Sequence, residues 1–168
     1  VTDAAADLFL RLGRSTPLDA AVPSCPGWSL ADLLFHAGGV AQFWVQMAQG
    51  VAPGAERKPV RPDDADVVDW LEVTFDEWIP ALAALDPSGT ASFSLTDDQS
   101  VAFVQRRVAH ELTIHAWDAA VAAGLDHEIE PAVAVDGVDE YFDVWLSSPF
   151  ADRSGAVQSL HLHATDLT

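Results

Sequence analysis

Four long stretches of this sequence repeat their apolar residues at helical spacing, and the segments between them are built largely from Pro, Gly, Asp and Ser. The pattern predicts an all-α chain, because a sheet would need alternation with period two. A short amphipathic stretch at about 3–12 precedes them, and a loop over 17–26 leads into Cys25-Pro26-Gly27-Trp28. Ser29 with Asp32 three residues on has the form of a capping box, which satisfies orphan amides at a helix start. Leu30, Leu33, Leu34, Ala37, Ala41 and Trp44 then fall on one stripe, so this helix is expected to run to about Gln49.

The loop over 50–62 holds Arg57, Lys58 and Arg61 and reads as exposed and mobile. A second long helix opens at Asp63 or Asp64 and buries Val67, Trp70, Leu71, Phe75, Trp78 and Leu82, with Pro80 predicting a kink or an early end. Residues 91–95 alternate weakly and fit either a short extended piece or a loop. The third long helix, about 100–123 and capped by Thr96, Asp97 or Asp98, is apolar around much of its circumference and should be the most buried. The fourth spans 131–146, with Val135, Val138, Phe142 and Trp145 as its apolar stripe. Beyond it, Ser159-Leu160-His161-Leu162-His163-Ala164 alternates with period two and reads as a strand.

A net charge of −18, from 8 basic and 26 acidic residues, would repel phosphate backbones and anionic bilayers, so neither a nucleic acid nor a membrane surface is an expected partner. No segment approaches the ~18 to 20 uninterrupted apolar residues of a spanning helix, and Val1-Thr2-Asp3 does not begin a secretory signal. A cytoplasmic protein is the expectation, with Cys25 a lone thiol.

The chemistry rests on buried-looking polar residues. Glu111 and His115 are four apart, stacked on the helix face that also carries Val104, Val108 and Ala122. An unpartnered carboxylate and imidazole aimed into an apolar bundle would cost several kcal/mol, and a divalent metal removes that cost. His36 borders the apolar stripe of the first long helix, where it can meet them across the core. Two His and one Glu with an open position is the ligand set of a catalytic zinc; nickel, iron or copper would accept the same donors, and zinc is the default. Helical Glu-x-x-x-His also arises as a solvated pair. Asp118 is either a partner orienting the His115 ring or a surface residue, and Arg107 either binds an anionic substrate or pairs with a carboxylate. Cys25 reads as small apolar filling, although its place before a helix start also suits a nucleophile. His110 lies about 100° from Glu111 around the helix and points elsewhere.

Several motifs carry a resemblance. Val22-Pro23-Ser24-Cys25-Pro26-Gly27-Trp28-Ser29-Leu30, with Asp32-Leu33 and His36-Ala37-Gly38-Gly39, is followed by Arg106-Arg107-Val108-Ala109-His110-Glu111 and His115-Ala116-Trp117-Asp118-Ala119. Asp136-Gly137-Val138-Asp139-Glu140 and Leu160-His161-Leu162-His163-Ala164-Thr165-Asp166 come next, in that order. Together they resemble the mycothiol-dependent maleylpyruvate isomerase family, whose metal-binding N-terminal domain is DinB/YfiT-like. The resemblance implies a four-helix bundle over 1–156 with His36, Glu111 and His115 as metal ligands. It also implies that 157–168 open a smaller α/β domain, otherwise absent here, which in full-length relatives can supply basic residues for an anionic substrate.

It further implies mycothiol as a thiol cosubstrate, its sulfur held at the metal. A small anionic or electrophilic substrate would be isomerised from cis to trans by thiol addition, rotation and elimination, with no protein nucleophile. Two alternatives share the scaffold: a mycothiol S-transferase for detoxification, and a metal-binding module without catalysis.

Overall fold

The computed structural model describes residues 2–146. Within them the chain is helical: α1 (Thr2–Ser15), α2 (Leu30–Ala48), α3 (Val67–Ala83), α4 (Val101–Ala122) and α5 (Pro131–Glu140). A wider π-helical stretch, Tyr141–Leu146, continues α5. The readings placed on 147–156, on the strand-like Ser159–Ala164 and on the α/β domain lie outside the described residues.

Helices α1 to α4 form a four-helix bundle in the cyclic order α1, α3, α2, α4, so that α1 and α2 occupy opposite corners. The core between them contains Phe9, Leu12, Leu30, Leu33, Leu34, Met47, Val67, Leu71, Val104 and Leu112, all essentially sealed from solvent. At one contact of α2 with α3, Gly38 faces the Trp70 ring so closely that an added Cβ would stand 2.5 Å from it. Only a residue without a side chain permits that approach.

The expected capping box is present. Ser29 Oγ accepts from the Asp32 amide at 3.2 Å, and the Asp32 carboxylate accepts from the Ser29 amide at 2.8 Å, an arrangement worth about 1 kcal/mol. For α4 the cap is Ser100, which accepts from the Phe103 amide, and not Thr96, Asp97 or Asp98. Asp98 acts one step earlier, accepting from the Ser100 amide and holding it ready. Pro80 neither ends nor interrupts α3, which continues to Ala83. Residues 91–95 are loop, and a single isolated bridge joins Thr90 to Ser100.

Two further expectations need correction. The fourth corner of the bundle belongs to short α1 and not to the segment 131–146, whose stripe is exposed: Val135 at 58%, Trp145 at 45%. That stripe alternates with Asp136, Asp139 and Asp143, and α5 lies against α4 through polar contacts instead. The loop over 50–62, although largely exposed, is fastened. The buried Gln46 side chain accepts from the Arg57 amide at 2.7 Å and donates to the Arg57 carbonyl at 3.0 Å, and the chain beyond lays Arg61 against Asp32 and over the Phe35 ring.

Candidate metal centre

Helices α2 and α4, neighbours in the bundle, bring three side chains together. His36 comes from α2, one turn after the apolar Leu33 and on the flank of its stripe; Glu111 and His115 come from successive turns of α4. The Glu111 Oε1 oxygen stands 3.3 Å from His115 Nε2 and 3.5 Å from His36 Nε2. The two imidazole rings meet edge to face at 4.9 Å between centroids. One ligand atom from each of the three residues lies within 4.8 Å of the other two. Donors about 2.0–2.2 Å from a tetrahedral zinc stand roughly 3.3 Å from one another, so these separations suit one ion shared by all three.

Each donor is held by a neighbour. His115 Nδ1 donates to Asp118 Oδ2 at 2.8 Å, and Asp118 Oδ1 accepts from Ser24 Oγ at 2.5 Å. With Nδ1 committed to Asp118, Nε2 is the ring nitrogen that faces Glu111 and that would be offered to an ion once its own proton leaves. The Trp28 ring packs edge-on against His36 at 4.9 Å, placed there by the turn at Gly27, whose φ of +87° few other residues adopt. Oε2 of Glu111, the oxygen away from the histidines, accepts from Arg107 Nη2 at 2.5 Å, and Arg107 Nη1 donates to Glu140.

The electrostatics favour positive charge at the meeting point. Burial works against the charged form of Glu111, yet its contacts with His115 and His36 and the Arg107 charge keep the carboxyl far below its usual range. Burial likewise opposes protonation of His115, but the hydrogen bonds it donates to the Asp118 and Glu111 carboxylates outweigh it and push the imidazole up to about 9. Asp118 is lowered despite burial, by His115 and Ser24. Sites that draw a proton so strongly also draw a dication.

Of the residues singled out from sequence, Asp118 is bonded to His115. Arg107, 3% exposed, is engaged by two carboxylates, and its ring contact is with Trp145 at 5.5 Å. His110 turns away from the cluster, as its helical angle implies, to meet Asp136 at 2.6 Å. Cys25 comes nearer than the sequence suggested, grouped with His115 and Asp118 within the same 4.8 Å span. Burial and the Asp118 charge both push its thiol up, which disfavours the thiolate. Sequence reasoning missed Ser24, Trp28 and Glu140 as supports. All three lie inside quoted motifs, but their partners are 94 residues away for Ser24 and 33 for Glu140, beyond any local pattern.

A cleft of about 550 Å³ opens beside His36, lined by Trp28, Phe35, Val40, Phe43 and, as its cation, Arg61. Among the described residues, no helix is long and apolar enough to cross a membrane.

Residues 1–120 match the family described as the mycothiol maleylpyruvate isomerase N-terminal domain. No curated protein and no solved structure matches the chain.

Proposed function

The chain belongs to the mycothiol maleylpyruvate isomerase N-terminal domain family, and on that premise we propose that it is a divalent-metal-dependent enzyme using mycothiol, with His36, Glu111 and His115 holding the ion. The observation that carries the reading is the convergence of two imidazole nitrogens and one carboxylate oxygen at separations a single dication would bridge. Zinc suits this set of three donors with a position left for an exogenous ligand. When bound, the ion would supply Lewis acidity that lowers the pKa of a thiol held against it.

The protein's own groups do the rest. Asp118, fixed by Ser24, keeps the His115 ring turned with Nε2 toward the ion, and Trp28 packs against His36 to limit its rotation. The cleft beside His36 receives a small electrophilic or anionic substrate. There the mycothiol sulfur adds to a cis double bond, the resulting single bond rotates, and expulsion of the same thiol leaves the trans isomer. The thiol is regenerated, and no side-chain nucleophile is consumed; a Cys25 thiol with a raised pKa is in keeping with this. In this reading residues 1–156 are the metal-binding unit, 157–168 begin an α/β domain, and the protein works in the reducing cytoplasm.

The test incubates zinc-loaded protein with mycothiol and either maleylpyruvate or a chloro-aromatic electrophile. Isomer formed only when metal and thiol are both present supports the reading. A stable thioether adduct instead makes the chain an S-transferase, and metal binding without turnover of either makes it a binding module.

A further inference from the structure

We propose that Glu140 acts through Arg107 as a positioning residue for the Glu111 carboxylate, which makes the end of α5 a strut of the metal site; the inference rests on the reading of that site given above. Glu111 has two oxygens with different partners. Oε1 faces both imidazoles, and Oε2 is taken by Arg107 Nη2. The other arm of the guanidinium is held by Glu140. Glu140 is the buried residue of α5, and both it and Arg107 are 3% exposed. Each retains one buried atom without a hydrogen-bond partner, Glu140 Oε1 and Arg107 Nε.

Burying such an ion pair is a poor route to stability, because desolvation costs several kcal/mol per ion and a well-packed apolar pair often does as well. Orientation explains it better. The terminal torsion of a glutamate is broad and roughly two-fold, so a free Glu111 could rotate either oxygen toward the histidines or offer both. A guanidinium fixed at both ends removes that freedom and leaves Oε1 alone to face a cation. Bonded also to Glu140, Arg107 shares its charge between two carboxylates, so Glu111 keeps more of its own for the ion. The second anchor of α5 does not pass through Glu111. Asp136 accepts from Arg106 Nε at 3.0 Å and meets His110 Nε2 at 2.6 Å.

The test compares the 168-residue wild-type chain with E140Q and D136N, each titrated with cobalt(II) alone, reading the visible absorption of the bound ion and its Kd. E140Q is expected to shift the absorption bands and weaken affinity about tenfold. D136N, which loosens α5 at its other anchor, is expected to keep the wild-type spectrum. If E140Q does not fold, R107K, which keeps the charge without the fork, replaces it with the same expected shift. An E140Q or R107K protein with the wild-type spectrum and Kd overturns the strut alone. So does a D136N protein that moves the spectrum as far as E140Q, because docking of α5 in general would then be the cause. Wild-type protein that takes up no cobalt overturns the metal reading and the strut together.

Discussion

His115 and Asp118, three residues apart on α4, are joined by a 2.8 Å hydrogen bond from Nδ1 to Oδ2 that turns the imidazole so that Nε2 lies 3.3 Å from Glu111. The direction of the ring is thus set by a residue that would not itself touch the ion. Replacing Asp118 by Asn keeps the size but removes the charge that fixes the tautomer. The expected result is zinc affinity reduced about 10- to 100-fold, read by competition with a chromophoric chelator, with the helical circular dichroism unchanged.

The same contacts give the metal-free protein a pH signature. His115 has a folded-state pKa of about 9 against an ordinary 6.5, so its contribution to stability is complete below about pH 6.5 and is lost as pH rises through 9. Glu111 is shifted the other way, so its contribution is present above its ordinary 4.5 and fades as pH falls below that. Thermal melts of chelator-treated protein should therefore show Tm falling from pH 6.5 to 9. With zinc bound that alkaline loss should shrink, because the ion replaces the proton, and metal uptake at pH 7.5 should release about one proton from the site.

At the contact of α2 with α3, the Trp70 ring occupies the space where a side chain on residue 38 would be. Gly38→Ala must displace a rigid indole, and is expected to destabilise by about 1–3 kcal/mol, seen as a fall in the denaturant midpoint. Gly39→Ala, where the nearest atom is Pro59 Cγ at 3.5 Å, is the matched control and should have a small effect.

Much of this arrangement was readable from local pattern. Ser29 and Asp32 announce the start of α2 because a capping box is complete within four residues, and Glu111 with His115 share a face because helical spacing dictates it. What could not be read was anything decided by where a helix docks. The apolar residues of α5 recur at helical spacing, yet α1, the more strongly amphipathic of the two, fills the bundle corner and Val135 and Val138 remain in solvent. The reason lies in polar groups. α5 is drawn to α4 by Asp136 and Glu140, whose partners Arg106, His110 and Arg107 are about 30 residues earlier and carry no local signal. Arg107 shows the same limit. Its position one turn before Glu111 was evident, while its engagement by two carboxylates depended on a helix from elsewhere in the chain.

The central claim is that His36, Glu111 and His115 together hold one divalent ion. Its most direct test is elemental analysis of purified protein beside the single variants His36→Ala, Glu111→Gln and His115→Ala, at matched folding by circular dichroism. One equivalent of zinc or another dication in the wild type, and loss of most of it in every variant, is the predicted result. Equal metal content in wild type and all three variants, or no metal taken up by the wild type even when it is supplied, would contradict it.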